Sequence, residues 1–392
     1  MAEGIAVSNN SQETGLNNND LIIGPSGCGK TGSYVVPNLQ NPEGSIVVSD
    51  TKGQLYRLMK KFLEKKGYKV CCLDLVNPQN SCGYNPLSAI RKHENGKVFE
   101  QDILTLANTI VPELDKHEPF WSLAAAGYIA FLVVYCLEAL EPKLHNLISV
   151  CCLHDMFIRP NGDLAFADFA EAHPDSYTAR KYNKIASIRN VEKTWNCIVE
   201  FANRALEPFD FNEAETIFSG ENSFDISSLG KDKIALFINT SDTNRTFDNI
   251  ANLFYTQTLQ LLCSQADRNK TGRLDVPVRL IMDDFASGAK IPDFDKIISV
   301  IRSRDISVSI IIQSLSQLES LYSHAEAMTI INNCDHMLFM GSRDVKTAEF
   351  IAYHLGRMPE TVLGLPRDKM ILITSGEQGR IVEKIKPYCT LK

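Results

Sequence analysis

The stretch Leu21-Ile-Ile-Gly24-Pro-Ser-Gly-Cys-Gly-Lys30-Thr31 decides the fold of the chain. A short apolar run leads into the pattern G-x-x-x-x-G-K-[ST] and then into a helix-compatible segment, which is the strand–loop–helix context that a phosphate-binding loop requires. Gly27 and Gly29 permit backbone conformations in which successive N–H groups point at phosphate oxygens. The helix that begins at Lys30 adds the positive end of its dipole. The stretch therefore predicts a nucleotide site.

The residues of this loop have distinct predicted roles. Lys30 is expected to reach the β- and γ-phosphates, and Thr31 is expected to offer its hydroxyl to Mg²⁺. The other loop residues are expected to surround the nucleotide phosphates, Cys28 through its backbone amide alone: Gly24, Pro25, Ser26, Gly27, Cys28 and Gly29.

Two acids follow a buried strand pattern far downstream, where Val278-Arg-Leu-Ile-Met runs into Asp283 and Asp284. Asp283 is predicted to hold Mg²⁺ directly or through a water, and Asp284 to face the γ-phosphate and orient or deprotonate a water. The alternative is that the two acids cap a helix. In small kinases with this loop, the loop lysine and the metal-binding acid lie much closer in sequence than Lys30 and Asp283 do here. The long separation therefore predicts a domain inserted between the two motifs.

Other strand ends supply weaker candidates. Gln313 follows the apolar run Val308–Ile312, where its amide is either a sensor of the γ-phosphate or the first polar residue of a helix. Asp50 and Lys52 follow a run of β-branched residues, and a helix N-cap with a solvated first turn explains them as well as a site does.

Two arginines, Arg302 and Arg304, end a predicted helix over residues 293–303. Cations are ordinary at a helix C-terminus. The other interpretation is an arginine finger that reaches a neighbouring subunit.

The order of the elements predicts two domains. Short β-branched runs alternate with helical patterns before residue 86 and after residue 220, which indicates a central, mostly parallel sheet with covered faces. Between these positions the patterns are long and of helical period. We therefore expect an α/β nucleotide-binding domain formed by residues 1–85 and 221–392, and an all-α domain over residues 86–220.

Composition limits the class of protein. The 392 residues are 44% hydrophobic and 22% charged, as in ordinary globular proteins. The net charge of −7 excludes a wholly basic nucleic-acid coat but not a local basic channel. Trp121–Leu137 has no charge and is barely long enough to cross a bilayer, but no Lys/Arg cluster flanks it. We predict a buried helix there.

Taken in order, the motifs resemble the type IV coupling proteins of bacterial conjugation, the TraG/TraD-like secretion ATPases. The resemblance covers nearly the whole chain and rests on GPSGCGKT, VVPNLQNPEGSIVVSDTKGQL, YNPL, LIMDDFAS and RSRDISVSIIIQSLSQLESLY. It implies a RecA-like P-loop NTPase domain with an inserted all-helical domain, and ATP and Mg²⁺ as cofactors. It also implies a hexameric ATPase at the inner face of the cell membrane, which takes relaxase–DNA substrates into a secretion channel.

The matching motifs imply roles for single residues. Lys30 and Thr31 become the nucleotide and Mg²⁺ residues, and Asp283 becomes the Walker B acid. Gln313 becomes the sensor, and Arg304 becomes the favoured finger. The DNA-binding residues are not predicted.

Two departures from the family pattern affect the expected activity. Family members commonly carry Glu where this chain has Asp284, whose carboxylate lies about 1.5 Å further back, so hydrolysis is expected to be slow or to need an intervening water. Members also usually begin with transmembrane helices, which this chain lacks; it is either a trimmed portion or docks on a separate membrane protein.

Three functions fit these features. The leading hypothesis is an ATPase that translocates DNA or another substrate, and the rival is a nucleotide-switched cargo receptor that hydrolyses little. A chromosome-partition translocase is disfavoured because the helical block interrupts the core.

Overall fold

The computed structural model of the chain describes residues 1–111, 119–220, 223–241, 243, 247–285 and 290–388. The chain folds as two compact units. The sheet unit comprises Met1–Cys72, Asp225–Thr243 and Thr258–Lys392, and the helical unit comprises Leu73–Phe224 and Asn244–Gln257. The expected domain boundaries, after residues 85 and 220, stay a prediction.

A mixed sheet organises the sheet unit. Its strands within the described ranges are β1 Asp20–Ile23, β2 Ser45–Ser49, β3 Lys69–Asp74, β4 Ile234–Asn239, β5 Val278–Met282, β6 Ile306–Ile312, β7 His336–Phe339, β8 Lys369–Thr374 and β9 Arg380–Glu383. They lie in the order β3-β4-β2-β5-β6-β1-β7-β8-β9. Parallel pairing joins β4, β2, β5, β6, β1 and β7, and antiparallel pairing joins β7, β8 and β9. The predicted α/β fold with a mostly parallel sheet is confirmed.

The central strands are buried on both faces, which explains their continuous apolar runs. Leu21, Ile22 and Ile23 in β1 are fully buried between β6 and β7. Since parallel strands end at one edge, the loops that follow β1, β2, β5 and β6 emerge together. This carboxyl edge carries the phosphate-binding loop, Asp283 and Gln313.

Helices surround the sheet and build the helical unit. Their bounds in chain order are α1 Ser11–Thr14, α2 Val36–Gln40, α3 Gln54–Lys65, α4 Glu100–Ile110, α5 Phe120–Ala139, α6 Leu147–Ile158, α7 Leu164–Ala172, α8 Tyr177–Arg189, α9 Glu192–Leu206, α10 Ala214–Phe218, α11 Asp248–Arg268, α12 Phe294–Ile298, α13 Leu315–Leu321, α14 His324–Asn332, α15 Val345–Leu355 and α16 Pro359–Leu363.

Two helices differ from their predicted extent. The helical period of the sequence over residues 185–206 predicts one helix, but these residues form the end of α8 and all of α9, because Val191 has a non-helical backbone, with φ −103° and ψ 86°. The helix predicted over 293–303 ends at Ile298, and Arg302–Arg304 form a separate 3₁₀ turn.

Helix α5 contains the uncharged segment that the sequence places in a buried helix. By length and composition it is long enough to cross a membrane, and within the described residues it is the one helix of 18 or more residues that meets this test. Most of its side chains between residues 125 and 136 are buried, and it packs against α4, α6, α8 and α9. These contacts account for its apolar composition as the core of the helical unit.

Candidate nucleotide-binding site

The phosphate-binding loop, residues 24–31, has the backbone that its glycines predict. Gly27 has φ 76° and Gly29 has φ 94°, a left-handed region that side-chain-bearing residues rarely adopt. At Gly24 a Cβ atom would lie 2.5 Å from Cys28 Sγ and 3.1 Å from Met340 Cβ. The Gly24 amide donates to the Ile312 carbonyl at 3.0 Å, which fixes the start of the loop to the end of β6.

Lys30 lies within the loop rather than extending into solvent. Its side chain is 8% exposed, and Nζ donates to the carbonyl oxygens of Gly24 at 2.7 Å and Pro25 at 3.2 Å. The helix that follows starts with a π-helical turn, Thr31–Val35, and continues as α2. The ammonium and the first helix N–H groups therefore face the same enclosed space, an arrangement that favours phosphate.

Thr31 and Asp283 meet across the sheet. Thr31 Oγ1 donates to Asp283 Oδ2 at 3.1 Å, although 252 residues separate them in sequence. Asp283 is fixed from two further directions: the Ser49 hydroxyl donates to its carbonyl oxygen at 3.2 Å, and the Asp284 amide donates to its Oδ1 at 3.0 Å. A hydroxyl and a carboxylate are hard oxygen ligands of the kind that Mg²⁺ takes beside nucleotide phosphates. These two residues fit that ion.

The surroundings of Asp283 disfavour its charge. Burial, together with the negative charge of Asp284, raises the pKa of Asp283 above the ordinary aspartate value; the Lys30 ammonium and the hydrogen bond from Thr31 offset part of this. A divalent cation bound beside the carboxyl favours the ionised form. The site is thus electrostatically suited to a cation.

Asp284 and Gln313 line the same cavity as the loop. The cavity has a volume of about 820 Å³, and its lining residues are Ser26, Gly27, Gly29, Lys30, Thr31, Gly32, Ser49, Asp50, Thr51, Lys52, Gln54, Leu55, Leu58, Asp283, Asp284, Gln313, Pro387 and Tyr388. Asp284 has φ 53°, in the left-handed region where Asp is tolerated better than longer side chains. Of the predicted site residues, Gly24, Pro25, Cys28 and Arg304 do not line this cavity, whereas all the others do.

Arg304 lies near the amino-terminal end of strand β6, opposite the end of the sheet that carries the phosphate-binding loop. It lies two residues before the start of the seven-residue strand β6, whereas Gln313 directly follows that strand, which puts about 20 Å between them. Its guanidinium donates to Asp267 at 2.8 and 3.2 Å and to the Val300 carbonyl at 2.8 Å. Arg304 therefore does not contribute to the cavity of its own chain, and its role as a finger stays a prediction that requires a neighbouring subunit.

Asp50 serves the local structure as well as the cavity wall. Its buried carboxylate accepts the backbone N–H groups of Gln54 at 3.0 Å and Tyr56 at 2.9 Å, at the start of α3. The capping interpretation of this residue is therefore correct in part.

Sequence reasoning missed Pro387 and Tyr388, which close one side of the cavity. No local motif marks the segment IKPYCTLK in which they lie. The one available signal was Gly32, directly after the loop motif, where a Cβ atom would collide with Pro387.

A family model described as "Type IV secretory system Conjugative DNA transfer" matches residues 4–362. The chain belongs to this family. Among its relatives, Protein VirD4 of Rhizobium rhizogenes is 21% identical over 341 residues, which are 86% of this chain and 49% of that protein. Conjugal transfer protein TraG of Escherichia coli is 24% identical over 358 residues, covering 87% of this chain and 55% of that protein. This member of the conjugative DNA transfer family thus spans about half the length of those relatives.

Solved structures share the fold. The bacterial conjugative coupling protein TrwBdeltaN70, in complex with sulphate, superposes on this chain with a TM-score of 0.70 at 16% sequence identity. The match covers 94% of this chain and 86% of the TrwBdeltaN70 chain. Plasmid coupling protein TrwB in complex with ADP and Mg²⁺ has a TM-score of 0.68 at 16% identity, with coverages of 95% and 86%. At these identities the similarity establishes the RecA-like fold of this family member.

Proposed function

We propose that the chain binds and hydrolyses ATP with Mg²⁺, and that it acts as a coupling protein that recruits a relaxase–DNA substrate and drives its transfer into a type IV secretion channel. The observation that carries the proposal is the 3.1 Å hydrogen bond between Thr31 and Asp283. It joins the phosphate-binding loop to the acid at the end of β5, which together form the minimal nucleotide–metal site. Family membership supports the conjugative setting.

The site residues divide the chemistry among them. The loop amides and Lys30 bind and neutralise the phosphates, and Thr31 and Asp283 hold the metal, which stabilises charge on the β- and γ-phosphates when bound. Asp284 orients a water or accepts its proton, and Gln313 contacts the γ-phosphate end. Gln313 would report the presence of a γ-phosphate to α13, because its backbone N–H donates to Gln317 Oε1 of that helix at 3.0 Å.

The assembly follows from the same proposal. Arg304 reaches the cavity of a neighbouring subunit in a hexamer, at the inner face of the cell membrane, where the ring contacts secretion-channel components. Residues 86–220 form the all-α domain that recognises cargo, and residues 1–85 with 221–392 form the nucleotide-binding domain.

The experiment that tests the proposal is the ATPase rate against protein concentration, with and without single-stranded DNA. The rate should rise more steeply than linearly, because each site needs a neighbour, and DNA should increase it. Lys30→Ala should abolish turnover, whereas Lys61→Ala, at an exposed position of α3, should leave it unchanged. Absence of turnover at every concentration would contradict the motor function.

Arg304 has a test of its own. Arg304→Ala should remove the steep part of the concentration dependence, because the neighbour's transition-state charge then lacks its cation. Arg357→Ala, at an exposed position after α15, is the matched control. An unchanged curve in Arg304→Ala would exclude this residue as the finger.

A nucleotide-switched cargo receptor is the second candidate. The observation in its favour is Asp284, whose short side chain stands on a left-handed backbone where the family commonly has Glu. Tight ATP binding without turnover, even on DNA, would favour the receptor over the motor.

A further inference from the structure

The segment after the last strand, residues 384–388, runs back to the phosphate-binding loop; we call it the tail. Lys384 is buried, and its Nζ donates to the carbonyl oxygens of Cys28 at 3.1 Å and Arg367 at 2.9 Å. One end of the tail is therefore tied directly to the backbone of the loop.

The other end of the tail packs on the helix that follows the loop. A Cβ atom on Gly32 would lie 2.8 Å from Pro387 Cβ and 3.0 Å from Tyr388 Cε2. A Cβ atom on Gly29 would lie 3.1 Å from Pro387 Cγ. The Tyr388 amide donates to the Gly32 carbonyl at 3.4 Å. Gly32 is thus the position whose missing side chain lets the tail reach the loop.

Tyr388 is placed to face a ligand rather than the core. It lines the cavity, its side chain is 48% exposed, and its backbone has φ 60°. A bulky residue adopts this left-handed conformation rarely, and such outliers cluster at ligand sites.

The tail and the metal residues contact neighbouring residues of the helix that follows the loop. Thr31 faces Asp283, which marks the metal and the γ-phosphate end. Gly32 is the next residue of the same π-helical turn, so its free face points in a different direction from the Thr31 side chain. A triphosphate held by the loop with its γ end at Asp283 therefore extends its ribose and base toward the face that Pro387 and Tyr388 cover.

We propose that the tail forms the nucleoside wall of the nucleotide site, with the Tyr388 ring in contact with the base. This inference rests on the proposed ATP binding. It assigns a specificity role to a segment outside the phosphate-binding loop and the acid of β5, and it explains why Gly32 follows the loop motif.

The test compares two ligands, Mg²⁺–ATP and Mg²⁺–tripolyphosphate, which lacks the nucleoside, by isothermal titration calorimetry. Tyr388→Ala should weaken the binding of ATP by about fivefold to a hundredfold, the range for loss of base–aromatic stacking, and should leave the affinity for tripolyphosphate unchanged. Tyr353→Ala, on α15 and 85% exposed, is the control and should change neither affinity.

A second pair of variants tests the docking of the tail. A stop after Lys386 keeps Lys384 and removes Pro387 and Tyr388. It should therefore weaken ATP binding as Tyr388→Ala does. Gly32→Ala should weaken ATP binding in the full chain. It should cause no further loss of ATP affinity in the shortened chain, because the two changes remove the same contact.

Three results would overturn the inference. They are unchanged or tighter ATP binding in Tyr388→Ala, equal losses for ATP and tripolyphosphate, and additive losses for Gly32→Ala and the stop. Failure of the wild type to bind either ligand is distinguishable from these, since it contradicts the proposed ATP binding itself.

Discussion

The two ends of strand β1 carry polar residues with opposite surroundings. At its carboxyl end the phosphate-binding loop opens into a cavity that Asp283 and Gln313 share. At its amino end Asp20 is 1% exposed and forms an ion pair with Arg279 Nη1 at 2.7 Å. The charged residues at the carboxyl end line a cavity, whereas those at the amino end pair with one another inside the protein.

The amino-end cluster joins several elements of the sheet unit. The Tyr34 hydroxyl donates to Asp20 and also forms a hydrogen bond with Ser309 Oγ at 2.8 Å, and His336 lies beside Asp20. Burial opposes ionisation of Asp20, but Arg279, with His336 and Tyr34, holds its pKa below the ordinary aspartate value. Similar residue types at the two ends of one strand therefore differ in their partners: a cavity at one end, and buried protein groups at the other.

The largest expected effect is at the amino end. Arg279→Met should lower the free energy of unfolding by about 3 to 5 kcal/mol, because Asp20 then remains buried without its cation. Urea unfolding measures this. Arg343→Met, at an exposed site, should cost less than about 0.5 kcal/mol. Equal losses of unfolding free energy in the two variants would contradict the stabilising role of the amino-end cluster.

The matching change at the carboxyl end should affect chemistry instead. Asp283→Asn should lower ATP turnover at least about a hundredfold, since the metal loses a charged ligand, with stability changed by less than about 1 kcal/mol. Steady-state kinetics and urea unfolding of the same preparation separate the two quantities. Asp232→Asn, at an exposed site, should alter neither. If Asp283→Asn lowers mainly the free energy of unfolding and not the turnover, the proposed difference between the two ends of β1 is wrong.

Removal of one hydroxyl from the cluster should have a smaller effect. Tyr34→Phe deletes the hydrogen bonds to Asp20 and Ser309 and should cost about 1 to 2 kcal/mol of unfolding free energy. Thermal unfolding of Tyr34→Phe and of Tyr353→Phe, whose ring is exposed, provides the comparison. A shift of the same size in both would show that the buried hydroxyl contributes nothing.

The smallest effect is a dependence on pH. A carboxyl whose pKa is lower in the folded chain contributes stability at neutral pH, and this is lost as the pH falls through the folded value. The unfolding free energy of the wild type should therefore decrease more steeply below about pH 4 than that of Asp20→Asn. Parallel curves in acid would indicate an ordinary pKa for Asp20.

Much of the carboxyl end was predictable because its signals are local. The phosphate-binding loop is contiguous, and Asp283 and Gln313 each follow an unbroken apolar run, so the strand pattern alone places them at one edge. The sequence GEQG over residues 376–379 is a local hairpin signal of the same kind, and β8 and β9 pair antiparallel on either side of it.

The remainder depends on contacts between distant residues. Tyr388 meets Gly32, and Arg279 meets Asp20, without a pattern near either partner that announces the other. The acid that opens β1 and the arginine inside the apolar strand β5 were visible, but only the fold shows that they pair. The break between α8 and α9 was missed because a helical period continues through Asn190 and Val191.

The central claim is that the loop and Asp283 form one magnesium–nucleotide site. Its most direct test is calorimetric titration of ATP with and without Mg²⁺ into the wild type, Thr31→Ala and Asp283→Asn. We predict that Mg²⁺ tightens ATP binding to the wild type and that this gain is lost in both variants, while metal-free ATP binding is retained. An equal gain from Mg²⁺ in all three proteins would contradict the claim.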